Sequence, residues 1–288
     1  MILITGATGT IGRAVLAELT QANETVRALI HSAPPAGDIG DVQAVAGSFE
    51  DPSSLRRAME GVRAAFLLTP GGPASAPADA ALVDAARAAG VEKLVKLSSI
   101  GSGTPQVAGA DWHAAGEQRV RDSGLAWTIV RPSAYASNAL RWANPIRAGQ
   151  PVPNLTGAAT QGIVDPRDVA AVVARALTDA DHDGRTHTLT GPHLLSTGDQ
   201  VATLELLLGR AIAMVDVPLE TARQGMIDMG VEPERTDAMI RGLAIIGEGH
   251  NAVLTDEVER ILGRPARSFE DWATDHLREY TSTANAGR

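Results

Sequence analysis

Thr5-Gly6-Ala7-Thr8-Gly9-Thr10-Ile11-Gly12 joins an apolar run, Met1-Ile2-Leu3-Ile4, to a segment with Ile11, Val15, Leu16 and Leu19 at helical spacing. A strand therefore breaks into a helix through glycines at 6, 9 and 12. The first glycine lets the chain turn sharply out of the strand. The second lets backbone approach a pyrophosphate with no Cβ in the way, and the third lets the helix pack against the sheet. The helix N-terminus then offers free N–H groups and a partial positive charge to phosphates. Thr8, Thr10 and Ile11 lie inside this loop and join Gly6, Gly9 and Gly12 as expected cofactor-binding residues. A glycine-rich turn without a ligand is the alternative for such a motif in isolation, and its place in a β-α-β unit argues for the dinucleotide.

Outward from this loop, strand-like and helix-like segments alternate. Short apolar strands are expected over 2–5, 25–31, 42–46, 64–69, 93–98 and 126–131, and helices over 11–20, 52–59, 78–89 and 111–122. Asp51 caps the second helix with Pro52 in its first turn, and Gly90 stops the third. The pattern predicts an α/β protein with a Rossmann-type, doubly wound parallel sheet. That core should occupy 1–135. Residues 136–288 should form a smaller, mostly helical substrate lobe, from which about 163–190 returns to the core. In that half, helices are expected over 138–148, 165–178, 196–208, 219–229, 232–246 and 255–262, with a strand over 186–190. The stretches Val152-Pro153-Asn154 and 157–162 are turn-rich.

Composition excludes several functions. The chain has 288 residues and a formal net charge of −9, so no global basic field attracts nucleic acid. It has no cysteine, which rules out disulfides, thiol catalysis and Cys-based metal sites. No basic segment precedes the first apolar run, and no stretch reaches the roughly 20 apolar residues of a membrane span. A cytoplasmic protein without membrane or nucleic-acid partners, and without a metal, is expected. The oligomeric state stays open.

Further motifs recur along the chain. Gly47-Ser48-Phe49-Glu50-Asp51-Pro52, Leu67-Leu68-Thr69-Pro70, Lys96-Leu97-Ser98-Ser99 and Val130-Arg131-Pro132 stand at the ends of the third to sixth strands. Val164-Asp165-Pro166-Arg167-Asp168-Val169 opens a helix, and Leu254-Thr255-Asp256-Glu257-Val258-Glu259 precedes Leu262-Gly263-Arg264-Pro265. With the Gly-x-x-Gly-x-x-Gly spacing, these segments make the chain resemble the NmrA-like atypical short-chain dehydrogenase/reductases, a branch that includes triphenylmethane-dye and quinone reductases. The resemblance implies a nicotinamide dinucleotide held also by Leu68, Thr69, Pro70, Ser98, Ser99 and Pro132.

The end of the second strand bears on which dinucleotide binds. NAD-preferring sites place a carboxylate there to hold the adenosine ribose. Here the strand ends Leu29-Ile30-His31-Ser32-Ala33, with no carboxylate before Asp38. His31 and Ser32 could donate hydrogen bonds to a 2′-phosphate, so NADP(H) is the expected cofactor. Many relatives have arginine in place of His31, and Ser48 stands where they often have aspartate near the adenine.

Most short-chain reductases carry Tyr-x-x-x-Lys after the fifth strand, with a glutamate four residues beyond the lysine in the extended relatives. Glu117 matches that glutamate, which places His113 where lysine should be and Gly109 where tyrosine should be. The only tyrosines are Tyr135 and Tyr280, and neither is followed by the lysine. Hydride transfer itself needs only proximity to an electrophilic carbon. His113 has a suitable intrinsic pKa for a general acid, and Tyr135 follows a segment that passes the nicotinamide in relatives. Both are candidate catalytic residues and cofactor contacts. His113 could instead only position the cofactor, and Tyr135 could only line the pocket. Trp112, Trp142, Met226 and Met229 are candidates for an apolar wall. Two functions follow: an NADPH-dependent reductase of a small, largely apolar carbonyl, quinone or enone, or a non-catalytic NADP(H) sensor. The complete C-terminal lobe favours the enzyme.

Overall fold

The structure, a computed structural model, describes residues 1–31, 42–105 and 111–281. It divides into two compact units. The first comprises Met1–Pro132, Pro166–Leu189 and Glu257–Arg264, and the second Ser133–Asp165, Thr190–Asp256 and the chain from Pro265 onward. The first unit thus ends three residues before the boundary read from the sequence. It also takes back a C-terminal helix that the sequence reading placed in the lobe.

In the first unit, β1 (Ile2–Ile4), β2 (Val26–Ile30), β3 (Gln43–Ala46), β4 (Ala64–Leu67), β5 (Lys93–Leu97), β6 (Ala126–Pro132) and β9 (Arg185–Leu189) form one sheet in the order β3-β2-β1-β4-β5-β6-β9. Every neighbouring pair is parallel. The strand order reverses between β1 and β4, which defines the switch point where such sheets open a crevice for a ligand. The helices are α1 (Thr10–Gln21), α2 (Pro52–Met59), α3 (Ser75–Ala89), α4 (Ala114–Arg121), α6 (Pro166–Thr178) and α10 (Glu257–Leu262). One core cluster joins Leu3, Leu67 and Leu94 of the sheet to Leu55 and Met59 of α2 and Leu82 of α3. On α1, Val15 and Leu19 are buried, as are Val169 and Val173 on α6, and these two helices pack together. Full burial of such side chains stabilises by about 1.5–3 kcal/mol each. Asp51 caps α2 by accepting from the Ser53 amide at 2.9 Å, and Gly90 ends α3 in the left-handed region at φ 73°.

The second unit contains α5 (Ala143–Arg147) after a 3₁₀ turn (Ala136–Trp142), α7 (Thr197–Leu208), α8 (Leu219–Asp228), α9 (Pro233–Gly247), α11 (Phe269–Asp275) and α12 (Leu277–Thr281). It is less helical than its sequence suggests. The stretches read as turns hold two strands, β7 (Val152–Asn154) and β8 (Gln161–Gly162). Strand β7 pairs in parallel with β11 (Met214–Asp216), and β8 pairs antiparallel with β10 (Leu194–Leu195). Pro153 is tolerated because a two-stranded ribbon leaves one edge of β7 unpaired. Trp142, Ile146, Val152, Leu204, Phe269 and Trp272 form this unit's core. Trp272 stacks on Phe269 and on His276, with ring centroids 5.7 Å and 4.4 Å away.

Candidate dinucleotide site and the residues around it

A cleft of about 510 Å³ opens over the switch point of the sheet. Its walls come from the C-terminal ends of four adjacent strands: Gly6 to Gly9 after β1, Leu29 to His31 at the end of β2, Gly47 to Glu50 after β3, and Leu68 to Pro70 after β4. The Thr5 hydroxyl ties two of these exits together. It lies 2.8 Å from the Leu68 carbonyl oxygen and accepts from the Leu68 amide at 2.7 Å.

The three glycines do different work. Gly6 turns out of β1 at φ +63°, a conformation that L side chains rarely adopt. A Cβ on Gly12 would lie 2.1 Å from the Gly6 carbonyl oxygen, so α1 approaches the loop as no other residue would allow. A Cβ on Gly9 would meet nothing within 4 Å except the Gly6 oxygen, at 3.4 Å. Its open side is therefore not filled by protein. Gly9 is the N-cap of α1 and supplies no side-chain cap. Helix geometry leaves the N–H groups of Thr10, Ile11 and Gly12 without intrahelical acceptors. An uncapped N-terminus beside a residue with no side chain, inside a cleft of this volume, suits a pyrophosphate.

Behind this cleft the polar groups engage one another. The Lys96 ammonium on β5 meets the Asp79 carboxylate on α3 at 2.6 Å, and both side chains are fully buried. The Thr69 hydroxyl lies 3.2 Å from both the Ser75 hydroxyl and Asp79. Burial raises the Asp79 carboxyl above its ordinary range despite the pull of Lys96. Glu117 of α4 accepts from Ser98 at 2.5 Å, from the Arg131 Nε and an Arg131 terminal nitrogen at 2.8 and 2.6 Å, and from Arg121 at 2.7 Å. Burial works against its charge, yet these hydrogen bonds hold it below the usual carboxylate range. Ser98 thus donates its hydroxyl hydrogen bond to Glu117 and keeps only lone pairs for a ligand.

His113 is the N-cap of α4, which starts three residues later than the sequence pattern suggests. Asp111 accepts from the His113 and Ala114 amides at 2.9 and 3.0 Å and supplies the cap. Burial pushes the imidazole pKa down to about 4, and the nearby Lys96 charge acts in the same sense, against Asp111 and Glu117. His113 is therefore a neutral imidazole at neutral pH. Its ordinary pKa, the reason to consider it as a general acid, does not survive burial. Its Nδ1 is buried without a hydrogen-bond partner among the described residues.

The structure gathers some of the sequence-predicted residues and separates others. Gly6, Thr8, Gly9, His31, Leu68, Thr69 and Pro70 line the cleft. Thr10, Ile11 and Gly12 form the first turn of the helix beneath it. Ser98 and Pro132 are buried at the ends of β5 and β6. Ser99 follows β5, and Ser32 lies outside the described residues. The cleft also contains Gly47, Phe49 and Glu50, which no local signal marked as ligand contacts. Their one sequence clue was the position of 47–52 at a strand exit. The Ser48 hydroxyl hydrogen-bonds the Glu50 carboxylate, which lowers that carboxyl's pKa.

Tyr135 belongs to the second unit and lines a separate cavity of about 140 Å³ there. Burial pushes its phenol above the ordinary value, so it stays protonated. Trp142 lines the same cavity, whereas Met229 is 77% exposed and walls nothing. Trp112 stands in the first unit, 3.9 Å from the position of a Cβ on Gly71. No helix among the described residues is long and apolar enough to cross a membrane, and no group of metal-binding side chains occurs among them.

A parallel sheet with this order, a glycine-lined cleft at its reversal and an uncapped first helix define a dinucleotide-binding domain. The chain belongs to the NAD(P)H-binding family, whose profile matches residues 6–180. It is 38% identical over 285 residues to the (4-alkanoyl-5-oxo-2,5-dihydrofuran-3-yl)methyl phosphate reductase of Streptomyces griseus, covering 97% of this chain and 99% of that one. It is 36% identical over 280 residues to the NAD(P)H azoreductase of Xenophilus azovorans, covering 96% and 98%. Its fold matches the NADPH-dependent quinone oxidoreductase of Escherichia coli in complex with NADPH, at a TM-score of 0.85 and 22% identity over 96% of this chain and 99% of that one. The chain is an NAD(P)H-dependent oxidoreductase, and its fold also matches that of NmrA, at a TM-score of 0.70 and 19% identity over 95% of this chain and 94% of that one.

Proposed function

We propose that the chain uses NADPH to reduce a carbonyl, quinone or conjugated double bond of a small, largely apolar molecule. The observation that carries this reading is the intact cradle, in which Gly9 keeps an open side and the first turn of α1 stays uncapped. The names of the two most extensive relatives above support reduction as the direction of the reaction. One of them acts on a conjugated dihydrofuranone that carries a phosphate.

When bound, the dihydronicotinamide supplies the hydride. The chain's own residues bind and orient it. The α1 amides hold the pyrophosphate, Leu68 to Pro70 flank it, and His31 faces the adenosine end. His113 contributes as a neutral imidazole. It hydrogen-bonds the nicotinamide ribose, or it passes on a proton by giving one from one ring nitrogen while taking one from water at the other. Tyr135 keeps its proton and lines the cavity of the second unit. No Tyr-x-x-x-Lys pair supplies the proton.

The test is to follow NADPH absorbance with a panel of quinones, enones and azo dyes. Oxidation of NADPH in the presence of at least one acceptor, abolished in Gly9→Val, is the expected result. Tight NADPH binding without turnover on any member would support a redox sensor instead.

A further inference from the structure

The cavity of the second unit is lined by Arg141 from the 3₁₀ turn, Gln161 from β8, Tyr135, further uncharged polar side chains such as Gln200, and apolar side chains that include Trp142 and Ile163. No aspartate or glutamate lines it, in a chain whose net charge is −9. Arg141 donates from Nε to the Asn138 carbonyl at 2.8 Å. Its terminal nitrogens have no partner among the described residues. A guanidinium has five donor positions, so most of its capacity is unused. Neighbouring arginines are occupied: Arg147 donates to Asn144 and to the Glu279 carbonyl, and Arg210 to the Ile146 carbonyl at 3.1 Å. More than a third of the Arg141 surface is open. Even so, the surrounding protein displaces enough water to pull its pKa below the ordinary value. The Gln161 Oε1 is buried without a hydrogen-bond donor.

An unneutralised guanidinium in a cavity without a carboxylate calls for an oxyanion, which it can hold by two parallel N–H···O bonds. An unpartnered amide oxygen calls for a hydroxyl or N–H on the same occupant. We infer that this cavity is a subsite for the acid group of the substrate, a carboxylate, phosphate or sulfonate on a small apolar body, with Arg141 as the residue that selects it. A cavity of about 140 Å³ admits the acid and about one ring. The inference rests on the reductase reading and narrows its substrate class from apolar to amphiphilic and anionic.

Two measurements test it. The first is calorimetric binding of para-hydroxybenzoate and of its neutral amide to the wild type, Arg141→Gln and Arg56→Gln. Arg56 is an exposed arginine of α2 outside both cavities and controls for lost charge. The acid should bind the wild type and Arg56→Gln more tightly than the amide does, and Arg141→Gln should lose that preference, roughly 10–100-fold in Kd. The second is NADPH oxidation with naphthoquinone and naphthoquinone sulfonate. The sulfonate should show the lower KM, and Arg141→Gln should raise that KM while Arg141→Lys restores part of it. A charge preference in binding with no turnover of either quinone would uphold the subsite and count against the reductase reading. Turnover of both quinones with no charge preference in either measurement would overturn the subsite and leave the reductase standing. Equal losses in Arg141→Gln and Arg56→Gln would also overturn it, as would binding of neither probe.

Discussion

Gly116 of α4 lies against Asp79 of α3 so closely that a Cβ on the glycine would stand 1.9 Å from the Asp79 Oδ2. The same position would be 2.9 Å from the Lys96 Cε. The helix that carries His113 and Glu117 is therefore seated on a buried ion pair, and the pair fixes its height above the sheet. Burial opposes the charge on Asp79, so the pair is weak evidence of net stabilisation. Its loss on one side is another matter. Asp79→Ala leaves the Lys96 ammonium buried and uncompensated, and should cost about 3–5 kcal/mol. The double change Asp79→Leu with Lys96→Met should cost clearly less than Asp79→Ala alone. Urea unfolding of the three proteins checks this, and a double variant weaker than the single would remove the argument.

Gly9 and Gly12 should fail in opposite ways. Gly9→Val places a side chain into the open side of the cradle, so NADPH binding should vanish from a protein that still melts cooperatively near the wild-type temperature. Gly12→Ala drives a Cβ toward the Gly6 oxygen at 2.1 Å and should destabilise the fold itself. Thermal melts and NADPH fluorescence titrations on both variants separate the two effects. Unchanged NADPH affinity in folded Gly9→Val would show that the pyrophosphate sits elsewhere.

Those glycine roles were legible in the sequence because they are local. A strand that must turn, a helix that must approach and a backbone that must stay bare each demand glycine within eight residues. The parallel sheet was legible for a similar reason, since buried strands read as short apolar runs between amphipathic helices. The ion pair under α4 was not. Asp79 sits in an alanine-rich helix and Lys96 inside a strand, and only the sheet order brings them together. Nor was the depressed pKa of His113, which depends on burial and on that same lysine. Strands β7 and β11 escaped notice because three-residue strands contain too little pattern, and Pro153 argues locally against one of them. Glu50 stands at a strand exit with no local sign of a ligand contact, yet it lines the cleft.

The His113 pKa makes stability depend on pH. The folded-state value of about 4 lies below the ordinary 6.5, so the unfolded chain binds the proton more readily in between. Stability contributed by this group is whole above pH 6.5 and is lost as pH falls toward 4. The full loss is about 3 kcal/mol and about 2 kcal/mol is gone by pH 5. His113→Asn should flatten this part of the profile. Unfolding free energies at about pH 7.5 and about pH 5 for both proteins check the sign. A wild-type profile no steeper than that of the variant would contradict the burial argument. In turnover, His113→Asn should lower kcat more than it raises the KM for NADPH if the ring passes a proton, and the reverse if it only holds the ribose.

In the proposed binding mode, cofactor choice depends on the balance between His31 and Glu50, which would face the adenosine end of the cofactor. Both line the cleft, and the hydrogen bond from the Ser48 hydroxyl is the main cause that holds the Glu50 carboxyl below its ordinary pKa. The same bond holds the carboxylate in place. A 2′-phosphate would gain a donor in His31 and meet repulsion from Glu50. NADPH should still bind more tightly than NADH, because no carboxylate ends β2 where the ribose hydroxyls would be held. His31→Asp should reverse that order by placing a second negative charge beside the phosphate. Glu50→Gln should strengthen NADPH binding several-fold and change NADH binding little. The gain should shrink as salt is added, because the interaction is at the protein surface and is screened. Titrations of both cofactors at low and high ionic strength measure all of this. If Glu50→Gln shifted the two cofactors equally, the carboxylate would be acting on the adenine or ribose common to both, and the 2′-phosphate would have to lie away from it.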